Sequence, residues 1–202
     1  MIVVCLDLEG VLAPEFWIEF AAHAGIDALR RTTRDEPDYD KLMRDRLQLL
    51  ERHGLRLPDI QRVIEGLGPL PGARAFLDAL RARYEVIILS DTFYEFAAPI
   101  MRQLERPTLF CHHLEADAQG RITGYRLRLR DQKRAAVAAL RGLNFGTIAA
   151  GDSYNDTAML QEADAGVLFR PPTIVAAQFP QFPVATGYDE LRQRIDEAAA
   201  GL

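Results

Sequence analysis

Ile2-Val3-Val4-Cys5-Leu6-Asp7-Leu8-Glu9-Gly10-Val11 decides the fold. Its first half is a continuous apolar run too short for a helix, and Asp7 ends it. Such a run is a strand buried on both faces, which occurs in parallel sheets covered by helices. Three further runs repeat the pattern: Glu85-Val86-Ile87-Ile88-Leu89-Ser90, Thr147-Ile148-Ala149-Ala150-Gly151-Asp152 and Ala165-Gly166-Val167-Leu168-Phe169. Helical stretches precede the second run (Ala73 to Arg83) and the third (Lys133 to Arg141). Strands alternating with helices mean βαβ units, so the expected fold is α/β with a doubly wound, mostly parallel sheet.

Two segments break the alternation. Residues 14–68 carry helical spacing only. Leu42, Met43, Leu47, Leu49 and Leu50 mark one amphipathic helix, and Ile60, Val63, Ile64 and Leu67 another. This predicts a small helical insert, 14–68, after the first strand, with 1–13 and 69–202 forming the core. The second break is His113 to Leu129. Asp117-Ala118-Gln119-Gly120 is a turn and Ile122 to Leu127 alternates, which predicts a β-hairpin. In the tail, Gln178-Phe179-Pro180-Gln181-Phe182-Pro183 reads as a loop, because its prolines block helix and inner strand. A last helix is expected from Asp189 to about Ala199.

The 202 residues suit one domain, or one core with a modest insert. An apolar fraction of 49% and a charged fraction of 26% are ordinary globular values. The net charge of −5 disfavours a general nucleic-acid surface, which needs clustered Lys and Arg. A small anionic substrate needs only a few local cations. No apolar stretch approaches the ~20 residues of a membrane helix, and the first run stops at Asp7 and Glu9, so neither a span nor a signal peptide is expected. Cys5 and Cys111 form no CxxC and no zinc spacing. A buried free thiol is expected at Cys5, and the chain reads as cytoplasmic. His23, His53, His112 and His113 lack metal spacing, and a surface or strand position is expected for the last two. Walker, GxGxxG and GxSxG anchors are absent.

In open α/β sheets, ligands bind beyond the carboxyl ends of the strands. Three of the four runs end there in polar groups: Asp7-Leu8-Glu9, Ser90-Asp91-Thr92, and Gly151-Asp152-Ser153-Tyr154-Asn155-Asp156. Asp7, Asp152 and Asp156 would converge as three carboxylates that repel one another in a low-dielectric cleft. A hard divalent cation resolves that repulsion, and an all-oxygen set suits Mg²⁺. Lys133 adds a second positive charge. Metal and lysine together let a dianionic phosphate approach a carboxylate, and the carboxylate can then be the nucleophile that forms an aspartyl-phosphate.

These residues resemble the haloacid dehalogenase superfamily of phosphatases, whose four motifs appear in order: Asp7-Leu8-Glu9-Gly10-Val11, Ser90, Lys133, and Gly151 to Asp156. The resemblance covers residues ~2 to 170. It implies Asp7 as nucleophile and Mg²⁺ ligand, and Glu9 as general acid/base where the family usually has aspartate. The Glu9 main-chain carbonyl would be a further ligand. By the same resemblance Ser90 holds a phosphate oxygen, Lys133 neutralises nucleophile and phosphate, Asp152 binds Mg²⁺, and Asp156 orients the metal shell or Lys133. The insert looks like the family's small cap. Glu15 and Arg46 stand where the phosphoserine phosphatase branch holds the substrate's ammonium and carboxylate, and a guanidinium matches a carboxylate bidentately. Tyr39 is a candidate for the same pocket. Asp91, Thr92 and Asn155 are further substrate-binding candidates.

Within that branch the closest likeness is to bifunctional members that also transfer phosphate from phosphoserine to homoserine. It implies small-molecule substrates only, with neither nucleic acid nor membrane as partner, a homodimer, and a place in serine or threonine biosynthesis. Taken alone, Lys133 and Arg46 also read as solvated helix residues, Asp7 and Asp152 as turn formers, and Asp91 and Thr92 as caps of the next helix. Rival functions are a phosphatase for another small phosphomonoester and a non-catalytic binding protein on the same scaffold.

Overall fold

The computed structural model describes residues 1–32, 35–36 and 38–202. Ile2–Leu6 forms the first strand, β1. It is followed by α1 (Phe16–Ala24), a 3₁₀ turn at Asp27–Arg30, α2 (Tyr39–Arg52), α3 (Leu57–Leu67) and α4 (Ala73–Arg81). Next come β2 (Glu85–Phe93), α5 (Tyr94–Gln103), β3 (Thr108–Ala116), β4 (Ile122–Arg126) and α6 (Gln132–Gly142). The chain ends with β5 (Gly146–Gly151), α7 (Tyr154–Glu162), β6 (Ala165–Phe169), α8 (Thr173–Gln178), β7 (Val184–Ala185) and α9 (Tyr188–Ala200).

The strands form one sheet in the order β4-β3-β2-β1-β5-β6-β7. Among the described residues only the β3–β4 pair is antiparallel. β1 lies in the middle, with Val4 paired to Val86 on one side and to Ile148 on the other. Its side chains feed two cores: Val4 and Leu6 join one face, Val3 and Cys5 the other. That alternation is why the run is apolar throughout. Truncating a fully buried strand residue such as Leu6 to Ala would cost ~2–5 kcal/mol.

The sheet winds outward from β1 in both directions, so its strand order reverses there. The crevice at such a switch point is the usual ligand site. Asp7, Ser90 and Asp152 lie at or near the carboxyl ends of the three strands that flank it.

Several boundaries differ from the sequence reading. β2 does not stop at Ser90 but runs to Phe93, with a register shift between Leu89 and Phe93. Asp91 and Thr92 therefore lie in the irregular strand end. They do not cap α5, whose N-cap is Phe93 and lacks a side-chain cap bond. The Phe-Pro stretch is loop, yet it is flanked by α8 and by β7, which pairs parallel with β6. Among the described residues no helix is long and apolar enough to cross a membrane.

Candidate active site

Asp7 follows the last residue of β1, and its N–H donates to the Ala150 carbonyl at 2.9 Å, tying it to β5. The residue is 5% exposed. Oδ1 accepts the Leu8 N–H at 2.7 Å and pairs with Lys133 Nζ at 2.9 Å. Lys133, in the first turn of α6, also donates to Asp156 Oδ1 at 2.8 Å. Burial pulls the Lys133 ammonium down, but Asp156 and Asp7 outweigh it and hold the lysine charged, well above its ordinary range. Burial raises Asp7 well above the carboxylate range, and the charges of Asp156 and Asp152 add to it.

Asp156 is fully buried. Its Oδ2 accepts the N–H groups of Asp152 (2.9 Å) and Ser153 (3.0 Å), and the Ser153 hydroxyl at 3.3 Å. Ser153 and Asp156 also form the reciprocal capping box that starts α7. Both Asp156 oxygens are thus engaged inside the protein. Asp152 sits beside it, and burial followed by the Asp156 charge pushes its carboxyl up to about 7. Asp7, Asp152 and Asp156 each offer an oxygen within 4.8 Å of the others. Two glycines make this crowding feasible. A Cβ on Gly10, already at φ +79°, would fall 2.5 Å from Asp152 Cγ, and one on Gly151 would fall inside the Asp156 carboxylate.

Above this cluster lies a cleft of about 130 Å³. Its lining includes Asp7, Glu9, Glu15, Tyr39, Arg46, Ser90, Asp91, Thr92, Lys133 and Asn155. Drug-sized ligands occupy roughly 300–1,000 Å³, so the space suits something the size of an amino-acid derivative.

Glu9 is partly buried and crosses to the helical insert: Oε2 accepts the Phe16 N–H at the start of α1, at 2.9 Å. Burial and the neighbouring Glu15 push its carboxyl up to about 8, against bonds from Phe16 and the Thr92 hydroxyl that lower it. At neutral pH it therefore carries a proton that it can give.

Arg46 is 7% exposed. Its guanidinium lies 4.4 Å over the Trp17 ring, donates from Nη2 to the Arg31 carbonyl at 2.7 Å, and meets the Met43 sulfur at 3.9 Å. Its buried Nε has no hydrogen-bond partner. Burial lowers its pKa to about 10, so it stays cationic. A buried cation with an unmet donor in a cleft wall is suited to a carboxylate.

The sequence-derived residues thus converge, with two distinctions. Asp152 and Asp156 lie beneath the cleft rather than in its lining, and Glu15 and Asn155 are exposed at its rim. Four residues were not anticipated as site members. Gln132 is buried and donates to the Ser90 carbonyl, and Ser153 shares the Asp156 network. Trp17 floors Arg46. His112 lies in β3, as the strand alternative had it, but is buried. It accepts the Arg128 N–H at Nδ1 (3.0 Å) and turns Nε2 towards Asp91 at 3.8 Å. Gln132, beside Lys133, and Ser153, inside the Gly151–Asp156 stretch and three residues before Asp156, carried a sequence signal; the contacts of Trp17 and His112 are made across the tertiary fold.

The model of the haloacid dehalogenase-like hydrolase family matches residues 3–164. The chain belongs to the haloacid dehalogenase-like hydrolases. "Phosphoserine phosphatase ThrH" of Pseudomonas aeruginosa is 57% identical over 99% of this chain and 98% of that protein. A phosphoserine phosphatase of Pseudomonas syringae pv. tomato is also 57% identical, over 98% of this chain and 83% of its own length. A crystal structure of phosphoserine phosphatase in apo form superposes with a TM-score of 0.75 at 20% identity, covering 96% of this chain and 97% of the other. At that identity it shows the shared fold of these hydrolases and no more.

Proposed function

We propose that this protein is a Mg²⁺-dependent phosphoserine phosphatase that also passes the phosphoryl group to homoserine, through an aspartyl-phosphate on Asp7. The observation that carries the reading is one small cleft holding both the Asp7–Lys133 pair and the incompletely bonded guanidinium of Arg46. The first suits a phosphate, the second an amino-acid carboxylate. The printed names of the 57% identical relatives support the same substrate.

The donor set fits a hard cation. Asp7 and Asp152 are raised by burial and then by their acidic neighbours, while Asp156 is spent on Lys133 and backbone N–H groups. The side chains of Asp7 and Asp152 and the Glu9 main-chain carbonyl would hold Mg²⁺, which when bound supplies positive charge against the phosphate and the clustered carboxylates.

Asp7 Oδ1 is pinned by Leu8 and Lys133, so Oδ2 attacks phosphorus. The bond from phosphorus to the serine oxygen breaks, and Glu9 gives that oxygen its proton. Ser90 and Lys133 hold the phosphoryl oxygens, with Asp91, Thr92 and Asn155 around them, while Arg46 and Glu15 hold the carboxylate and ammonium. In the second half, the Glu9 carboxylate takes a proton from water or from the homoserine hydroxyl, whose oxygen displaces Asp7 from phosphorus. Residues 14–68 act as a cap that excludes bulk water from this step, over a core of 1–13 and 69–202. A homodimer in the cytoplasm completes the proposal.

The test is purified protein with phosphoserine and Mg²⁺, with and without homoserine, following free phosphate and phosphohomoserine. Phosphohomoserine formed at the expense of free phosphate supports the reading. Free phosphate alone removes the transferase part. Hydrolysis of an aryl phosphate but not of phosphoserine would overturn the assigned substrate while keeping the chemistry.

A further inference from the structure

A chain of ring contacts, closed by one cation–ring contact, runs beside the cleft and passes twice between the cap and the core. Tyr39, at the start of α2, meets Tyr125 of β4 edge-on, with ring centroids 5.8 Å apart at 84°. Tyr125 lies 6.3 Å from Phe93 at the end of β2. Phe93 packs edge-on against Phe96 of α5 at 5.7 Å, and Phe96 against Trp17 of α1 at 5.1 Å. Trp17 carries Arg46, which returns the chain to α2. Trp17, Tyr39, Arg46 and Phe93 line the cleft; Tyr125 stands behind them and touches no reacting group.

Tyr125 is nevertheless where the core holds the cap polar-side as well. Its hydroxyl donates to Asp40, the residue next to Tyr39. The same hairpin grips the cap at its other end, where the Leu57 N–H donates to the Gly120 carbonyl at 2.8 Å. A Cβ on Gly120 would fall 2.9 Å from Pro58 Cδ, so that approach is close. The Gly120 contact is a backbone hydrogen bond, whereas the Tyr125–Asp40 bond joins two side chains at an exposed rim.

We infer that Tyr125 is a positioning residue for acceptor choice: its bond to Asp40 holds Tyr39 against the cleft while the phosphoenzyme waits, and so limits the entry of water relative to an alcohol seated under the cap. Opening the bond frees the first turn of α2 and admits solvent. This rests on the reading of Asp7 as phosphoryl carrier, but its structural half does not. No group at Tyr125 enters the chemistry, so its loss should act on partition and on KM more than on formation of the phosphoenzyme.

The test uses Tyr125→Phe, Asp40→Ala, Asp40→Asn and the double variant Tyr125→Phe/Asp40→Ala. Two readouts are taken: amide exchange of Leu42 to Leu50, and the ratio of free phosphate to phosphohomoserine at fixed phosphoserine and homoserine. Faster exchange and a rise in that ratio of roughly two- to tenfold, the range one lost hydrogen bond allows, are expected for Tyr125→Phe and Asp40→Ala. The double variant should add nothing, and Asp40→Asn, which keeps an acceptor, should stay near wild type. Unchanged exchange in Tyr125→Phe overturns the latch. Faster exchange with an unchanged ratio overturns its part in acceptor choice. A wild-type protein that makes no phosphohomoserine overturns the reading beneath it, and exchange alone then decides the latch.

Discussion

Lys133 Nζ lies 2.9 Å from Asp7 Oδ1, with both side chains almost wholly buried. The pair joins the centre's cation to its nucleophile. Removing the cation leaves Asp7 and Asp156 facing each other without compensation. Lys133→Met should therefore lower turnover by roughly 10²- to 10³-fold and destabilise the metal-free fold by ~3–5 kcal/mol. Single-turnover assays and thermal melts measure the two effects. Turnover within about tenfold of wild type would remove Lys133 from the mechanism.

Arg46→Ala separates substrate recognition from chemistry. Its lost charge-assisted bonds should lower kcat/KM for phosphoserine by roughly 10- to 100-fold and leave a generic aryl phosphate little changed. Arg46→Lys should not restore it, because the ammonium lacks the planar fork. Stability should change little in Arg46→Met, since the lost Nη2 bond to the Arg31 carbonyl is offset by removing a buried Nε that has no partner. An equal loss on both substrates would place Arg46 in the scaffold instead.

Glu9→Asp shortens the side chain by one methylene and takes it off the Phe16 N–H that it now meets at 2.9 Å. The freed carboxylate can then reach a water on the phosphoenzyme, and misplacements near 1 Å are worth ~100-fold in rate. The hydrolysis-to-transfer ratio should rise. Glu9→Gln, which has no proton to give, should slow the release of serine far more than the release of an aryl leaving group. An unchanged ratio in Glu9→Asp would exclude side-chain length as the cause of the partition.

The carboxyl of Asp152 stands at about 7 and that of Glu9 at about 8, each raised first by burial. The folded state therefore holds protons that the unfolded state, with ordinary carboxyls near ~4, has already released. Stability must fall as pH rises between those values. The metal-free protein should melt higher at pH 5 than at pH 8. Mg²⁺ should raise the melting point more at pH 8 than at pH 5, since it replaces the missing protons. Calorimetry at the two pH values, with and without Mg²⁺, reads both. A metal-free protein more stable at pH 8 would contradict the crowded carboxylate site.

The sequence made the site's floor legible because three buried strands end in polar groups, and an apolar run broken by Asp7 or Asp152 announces both the strand and its end. The insert's helices were legible from the spacing of Leu42, Leu50, Ile60 and Ile64. The missing elements have local reasons. Pro99 sits inside α5 and masks its helical pattern. β7 is two residues long and follows Pro183. The irregular end of β2 depends on its pairing with β3 through Phe93 and His112. Trp17 and His112 take their places from neighbours remote in sequence, so no local pattern marks them. By local pattern Arg46 is one arginine among Arg44, Arg46 and Arg52; the family resemblance singles it out in the sequence, and burial does so in the structure.

α1 begins at the N–H that holds Glu9 and, one residue later, presents the ring that floors Arg46. Glu9 and Arg46, the proposed proton donor and carboxylate receptor, thus rest against adjacent residues of one helix. On the proposed roles, a shift of α1 when a carboxylate seats on Arg46 would move the support of Glu9 with it. A phosphate ester without the amino-acid portion reaches the same nucleophile but leaves Arg46, and with it that shared support, unengaged. Discrimination between substrates should then be expressed in the speed of the chemical step more than in the strength of binding. The cleft works less as a lock than as a trigger.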